Sequence, residues 1–267
     1  MAKEKHTVCP NCGKNYYIYL SRCPDCHSPN NERPNTRMTF LPIPHQVSLF
    51  AIGLVGFNLL AALITIFVST SIKDQPALSA LLINSISYSI IILADIILIW
   101  KYLPELFSFF KKGRTYLAGL VGFAVVLGGS MIINLIMSSL IPSAGTGENQ
   151  SVAEMMVLAN PFVSVLILGL IGPIVEEFTY RVGLFTLCKR AHTALAYVIS
   201  IAVFTVIHLN FTSSTIINEL AVLPDYLFAG AMFALIYHFE GFGASLLAHA
   251  GNNIFSMILI LIKAGMK

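Results

Sequence analysis

The stretch Gly172-Pro-Ile-Val-Glu176-Glu177-Phe-Thr-Tyr-Arg181 sets two adjacent carboxylates and an arginine inside an apolar run covering residues 161–187. Two further motifs follow the same pattern: Phe204-Thr-Val-Ile-His208 and His249-Ala-Gly-Asn-Asn253. A charged group at membrane depth is costly, so such residues face a protein interior or a wet cavity and usually have a function. Two carboxylates, an arginine, two histidines and an asparagine are the components of a hydrolytic site. Their placement points to hydrolysis inside a membrane.

The rest of the chain supports a membrane reading. Of its 267 residues, 56% are hydrophobic and 11% charged, against about 25% charged in an average soluble protein. The composition is that of an all-α polytopic membrane protein. The net charge of +3 is small and the basic residues are scattered, so no nucleic-acid partner is expected. The first 45 residues lack the apolar core of a signal peptide. Because a hydrocarbon core needs about 20 apolar residues per helix, about seven spans are expected, at 47–71, 78–100, 115–141, 161–187, 193–210, 220–238 and 243–263. Residues 151–160 read as a short interfacial helix before Pro161.

Lysine and arginine set the orientation. The head and the even-numbered loops hold twelve of them, and the odd-numbered loops hold only Lys73. The positive-inside rule then places the N-terminus in the cytosol and the chain, multi-pass, in the cell (cytoplasmic) membrane. Seven spans put the C-terminus outside. Lys263 and Lys267 run against that, and an extra or re-entrant segment would resolve the conflict.

Cysteine usage divides the chain. Cys9-Pro-Asn-Cys12-Gly13 and Cys23-Pro-Asp-Cys26 are two CxxC pairs ten residues apart. Four thiolates at this spacing suit one tetrahedral Zn2+. Two disulfides would need an oxidising compartment, whereas the charge pattern makes this end cytosolic. The reading is a structural zinc ribbon over residues 1–28, with Lys14–Leu20 as a hairpin strand and Gly13 serving a tight turn. His6 and His27 flank it without being expected ligands. Residues 29–45 read as a polar linker, and 46–267 as the membrane domain. A head this small folds on its metal, and it offers a surface for a protein partner.

On a helix, residues four apart share a face. Glu177 and Arg181 are so spaced, and an ion pair would lower the cost of burying both. Glu176 lies about 100° away and is free to polarise water. His249 and Asn253 are also four apart, and His208 comes from another helix. Each feature alone has a plain structural explanation: a helix–helix hydrogen bond for a lone histidine, a clamp for Glu177–Arg181, a helix bridge for His249 and Asn253. Together they are much harder to explain that way. Asn58, Asn84, Asp95, Asn134 and Asp225 read as polar contacts between helices. His238 and Glu240 read as loop residues, and Cys188 as inert.

The three motifs, in this order, resemble the CPBP family: type II CAAX prenyl proteases and the bacteriocin-processing, Abi-like intramembrane proteases. The resemblance covers residues 160–260, including Leu223-Pro-Asp-Tyr-Leu-Phe-Ala-Gly230. Two positions depart from the family pattern: Tyr180 stands before the arginine in place of Phe, and Val182 after it in place of Gly. The resemblance implies a helical membrane core and an endopeptidase acting on a membrane-associated peptide or protein. It implies Glu176 as the base that activates water, assisted by His208. His249 and Asn253 would stabilise the oxyanion, with Glu177 and Arg181 in support. The family is often called metalloprotease, and Glu, His and His on three helices could ligate zinc. No HExxH is present, and glutamate with histidine activates water directly, so metal-independent chemistry is favoured here. The alternative of another class is a non-catalytic immunity or assembly factor on the same scaffold.

Overall fold

The computed structural model describes residues 6–33, 36–72, 74–211 and 216–266. At the N-terminal end, β1 (His6–Val8) pairs antiparallel with β2 (Asn15–Tyr17), with His6 opposite Tyr17. Gly13 closes the connecting turn at φ 71°, a region open to glycine without steric cost. Its N–H donates to the Cys9 carbonyl at 2.9 Å. The second pair repeats the device: His27, at φ 58°, follows Cys26, and its N–H donates to the Cys23 carbonyl at 3.0 Å. Histidine is among the few non-glycine residues enriched there.

The four cysteine sulfurs lie within 4.8 Å of one another. None is in a disulfide. The Cys9–Cys26 and Cys12–Cys23 sulfurs are 3.5 and 3.6 Å apart. Thiolates about 2.3 Å from a tetrahedral zinc would be roughly 3.8 Å apart, so the arrangement fits a zinc ribbon. A hydrogen bond from the Ser28 hydroxyl holds the Cys26 thiol down to about 5.

Helices make up the rest. Those that organise the fold are α1 (Ile43–Val68), α2 (Pro76–Ile99), α3 (Gly113–Leu140), α4 (Glu148–Ala159), α5 (Pro161–Lys189), α6 (Thr193–Val206), α7 (Ile216–Glu240) and α8 (Phe242–Gly265). Among the described residues, six are long and apolar enough to cross a membrane: α1, α2, α3, α5, α7 and α8. Their outward faces expose Leu63, Phe67, Ile97, Leu117 and Leu135, as lipid contact requires. The expected span 193–210 is shorter than read. α6 has 14 residues, about 21 Å at 1.5 Å per residue, less than the roughly 30 Å of a hydrocarbon core. The short helix expected at 151–160 is α4.

α5 is the central element. Its hydrogen bonding widens to the π pattern at Val165–Ile171 and Glu177–Phe185, a feature that concentrates at functional sites. All nine residues of the second stretch are buried. α1 packs close against it. A Cβ on Gly53 would stand 1.7 Å from Thr179 Oγ1, and one on Gly183 would stand 3.1 Å from the Gln46 carbonyl and the Phe50 nitrogen. Small residues that let backbones approach are a common basis of helix packing in membranes.

The ribbon packs against the helical body. Tyr17, Leu20, Cys23, Phe40 and Leu41 share one core cluster with Phe178, Val182 and Tyr237. The polar linker expected at 29–45 does not describe Met38–Leu41, which is buried. Glu105, between α2 and α3, accepts from the Ser21 amide and hydroxyl and pairs with Arg33. Arg190, just past α5, donates to Tyr17 Oη, the Leu41 carbonyl and Gln46. Glu240 pairs with Arg37 and Arg114. All of these contacts lie at one end of the bundle, hereafter the head end.

Glu240 and His238, expected in a loop, are in the last turn of α7. The expected polar contacts also divide. Asn134 and Asp225 do join α3 to α7. The amides of Asn58 and Asn84 instead donate to carbonyls of their own helices. Asp95 is buried with neither carboxylate oxygen hydrogen-bonded.

Since the ribbon is docked, its metal should stabilise the whole chain. Replacing Cys9 and Cys12 with Ser should remove one equivalent of bound metal and lower the thermal midpoint of the purified protein in detergent. Metal analysis and a thermal scan check this; an unchanged midpoint would mean that docking contributes nothing.

Candidate active site

Four of the residues singled out in the sequence line one cavity of about 320 Å³: Glu176, His208, His249 and Asn253. They arrive from separate elements. Glu176 sits in α5 between its two widened stretches. His208 lies just beyond α6, not within a helix as the expected span implied. His249 and Asn253 project from α8.

Glu177 points the other way, into the packed interior, and is fully buried. Its Oε1 accepts from His249 Nδ1 at 3.0 Å, and its Oε2 accepts from the Ser245 hydroxyl at 2.6 Å. Arg181 Nε is 3.6 Å from Oε1. The expected Glu177–Arg181 pair is therefore present, but the closest contacts of Glu177 are to α8. Arg181 is itself fully buried, and among the described residues none of its guanidinium nitrogens is hydrogen-bonded. Instead the guanidinium lies 4.7 Å from the ring centroid of Phe204 and 5.7 Å from that of Phe233. Cation–π attraction strengthens when the pair is desolvated.

Glu177 orients His249. With Nδ1 held by the carboxylate, Nε2 is left to face the cavity, the logic by which a second partner fixes a histidine tautomer. The ring also stacks on Phe233 at 4.3 Å. His249 Nε2 is 3.6 Å from Glu176 Oε2. His208 Nε2 approaches the same oxygen at 3.7 Å, its Nδ1 held by the Phe204 carbonyl at 2.6 Å. Glu176 Oε1 accepts from Tyr88 Oη at 3.2 Å. Oε2 has no hydrogen-bond partner among the described residues. Asn253 differs from expectation: its Nδ2 donates to the Leu168 carbonyl at 3.0 Å, which leaves one amide hydrogen for the cavity.

Sequence reasoning missed three contributors. Tyr88 on α2 bonds the catalytic candidate, and nothing nearby in the sequence marks it. Tyr226 stacks on His208 at 4.9 Å, inside a segment valued only for its resemblance. Ser245 could have been found, because it precedes His249 by four residues and so shares its face.

Arg181→Ala should lower stability as well as any activity, because it removes the positive charge beside a fully buried carboxylate. Breaking a buried pair costs about 3–5 kcal/mol in soluble proteins. Thermal unfolding in detergent measures it, and an unchanged midpoint would refute the clamp.

Comparison with known proteins adds one finding. Neither the curated proteins nor the solved structures contain a significant match to this chain. Residues 158–255, however, match the family model described as Type II CAAX prenyl endopeptidase Rce1-like. That interval runs from the end of α4 into α8 and holds all three motifs. The match is thus to the very segment that builds the site: residues 158–255, a little over a third of the chain, are similar to the Rce1-like type II CAAX prenyl endopeptidase family.

Proposed function

We propose that the protein is an intramembrane endopeptidase that hydrolyses a peptide bond of a membrane-associated peptide or protein, with Glu176 as the base. The observation that carries this reading is the geometry at Glu176 Oε2. It is an unpartnered carboxylate oxygen in a cavity, 3.6 and 3.7 Å from two imidazole nitrogens. Those separations are too long for direct bonds. They suit one shared oxygen, since two hydrogen bonds of about 2.8 Å meeting at a right angle span roughly 4 Å.

In this mechanism a water bound there loses a proton to Glu176 as its oxygen adds to the substrate carbonyl. The carbonyl becomes a tetrahedral oxyanion. The free amide hydrogen of Asn253 and a protonated His249 Nε2 supply donors to it. Collapse breaks the C–N bond, and the proton held by Glu176 passes to the departing amine. His208 assists at the water. Glu177 and Arg181 stay behind the site: Glu177 holds the His249 ring through Nδ1, and Arg181 offsets the buried negative charge.

The proposal is metal-independent. Among the described residues, the only group of three or more His, Cys, Asp or Glu ligand atoms drawn within 4.8 Å of one another is the cysteine set. The cysteine set supports a metal in the ribbon, read here as structural Zn2+. The charge asymmetry of the loops supports a cytosolic head in the cell membrane, and the undocked face of the ribbon is where a protein partner would bind.

Glu176→Gln should insert, fold and bind substrate, yet lose hydrolysis by at least about 10²-fold, the scale of general-base catalysis. The assay is cleavage of any accepted peptide in proteoliposomes. Wild-type turnover in that variant would defeat the mechanism. A chelator strong enough to strip the active site, yet without effect on turnover in the first minutes, would support the metal-free form.

A further inference from the structure

The cavity that holds Glu176 extends away from the head end. Its other walls come from the opposite halves of α2, α3 and α7 and from α4. Asparagines, serines and tyrosines dominate its polar lining. Among the described lining residues there is no lysine or arginine, and the carboxylates are Glu176 and Asp225. Glu176 is committed to the chemistry. Asp225 has no part in it.

Asp225 is held in place. Ser130 Oγ donates to its Oδ1 at 2.5 Å, and Asn134 Nδ2 donates to its Oδ2 at 3.2 Å. Both partners come from α3. A carboxylate has about four acceptor positions, so two remain. Its neighbour Tyr226 stacks on His208 at 4.9 Å. This places Asp225 beside the reacting groups without contacting them.

We propose that Asp225 forms a subsite for a cationic side chain, lysine or arginine, in the peptide near the bond that Glu176 cleaves. The inference rests on the proteolytic reading and names the substrate class of that site. A cation entering the cavity gives up part of its hydration, and it is accepted best where an opposite charge and hydrogen-bond acceptors meet it. Asp225 supplies both, and its two donors fix its position before the substrate arrives. An acidic side chain would meet a like charge at the same place, with no basic residue in the lining to offset it. The cavity volume falls within the usual range for ligand sites, about 300–1,000 Å³. The preference is thus written as one attraction and one repulsion, the form that gives discrimination.

The test uses the full-length Glu176→Gln protein, which holds peptides without cutting them. The probe is a fluorescent apolar peptide in which one position, stepped along its length, carries lysine, its uncharged isostere norleucine, or glutamate. At one position the lysine peptide should bind about tenfold more tightly than the norleucine peptide, and the glutamate peptide more weakly than either. Adding Asp225→Asn should bring lysine and norleucine to within about twofold, and Asp225→Lys should invert the order. Equal binding of the lysine and glutamate peptides at every position would overturn the proposal without any change at residue 225. So would a lysine preference that survives in Asp225→Asn, which would leave Asp225 as a bridge between α3 and α7. Cleavage by the wild-type protein is scored separately, so failure of the proteolytic reading appears as absent turnover while the binding order still reports on the subsite.

Discussion

The carboxylate of Glu177 is the constraint on which the rest depends. A carboxylate without water is tolerable only if its charge and lone pairs are met. Here they are met by His249 and Ser245 from α8 and by Arg181 from its own helix. Because those groups are on two helices, satisfying Glu177 fixes how α5 and α8 sit against each other. The arginine is in turn held between Phe204 of α6 and Phe233 of α7. One buried charge thereby locks four helices, and as a consequence Glu176 and the free nitrogen of His249 are both turned toward the cavity. In this chain the packing of the core and the aim of Glu176 and His249 are one problem with one solution.

The helical membrane character was legible because it rests on composition and on long apolar runs, which local physics dictates. The convergence of Glu176, His208 and His249 was legible for a different reason: ionisable groups at membrane depth need a shared interior. What escaped the sequence was tertiary. The ribbon looked independent because its metal is local, yet Tyr17, Phe40 and Leu41 pack into the main core. Tyr88 carries no motif, and only the fold brings it to Glu176. The role expected for Asn253 was partly displaced by its bond to the Leu168 carbonyl, exposed where α5 departs from regular α-helical bonding. His238 and Glu240 were misplaced because a helix end adjoining Gly241, at φ 87°, reads locally like a turn.

The two ends of the bundle divide the labour. At the head end, the Arg37–Glu240 pair and the strap Met38–Leu41 tie the head to α7 and to Arg190, just past α5. At the other end lies the polar cavity. Widened turns in α5 sit at the junction, where the backbone must deliver one glutamate to the packed interior and its neighbour to the cavity.

In the proposed mechanism Glu176, His208 and His249 enclose one oxygen. The most direct measurement is an experimental structure of the wild-type protein in lipid, at a resolution that shows ordered water and distinguishes it from a metal ion. The account predicts a single water within hydrogen-bonding distance of Glu176 Oε2 and at least one of the two imidazole Nε2 atoms, with His249 Nδ1 still on Glu177. A metal ion bound by Glu176, His208 and His249, or imidazoles turned away from Glu176, would contradict it.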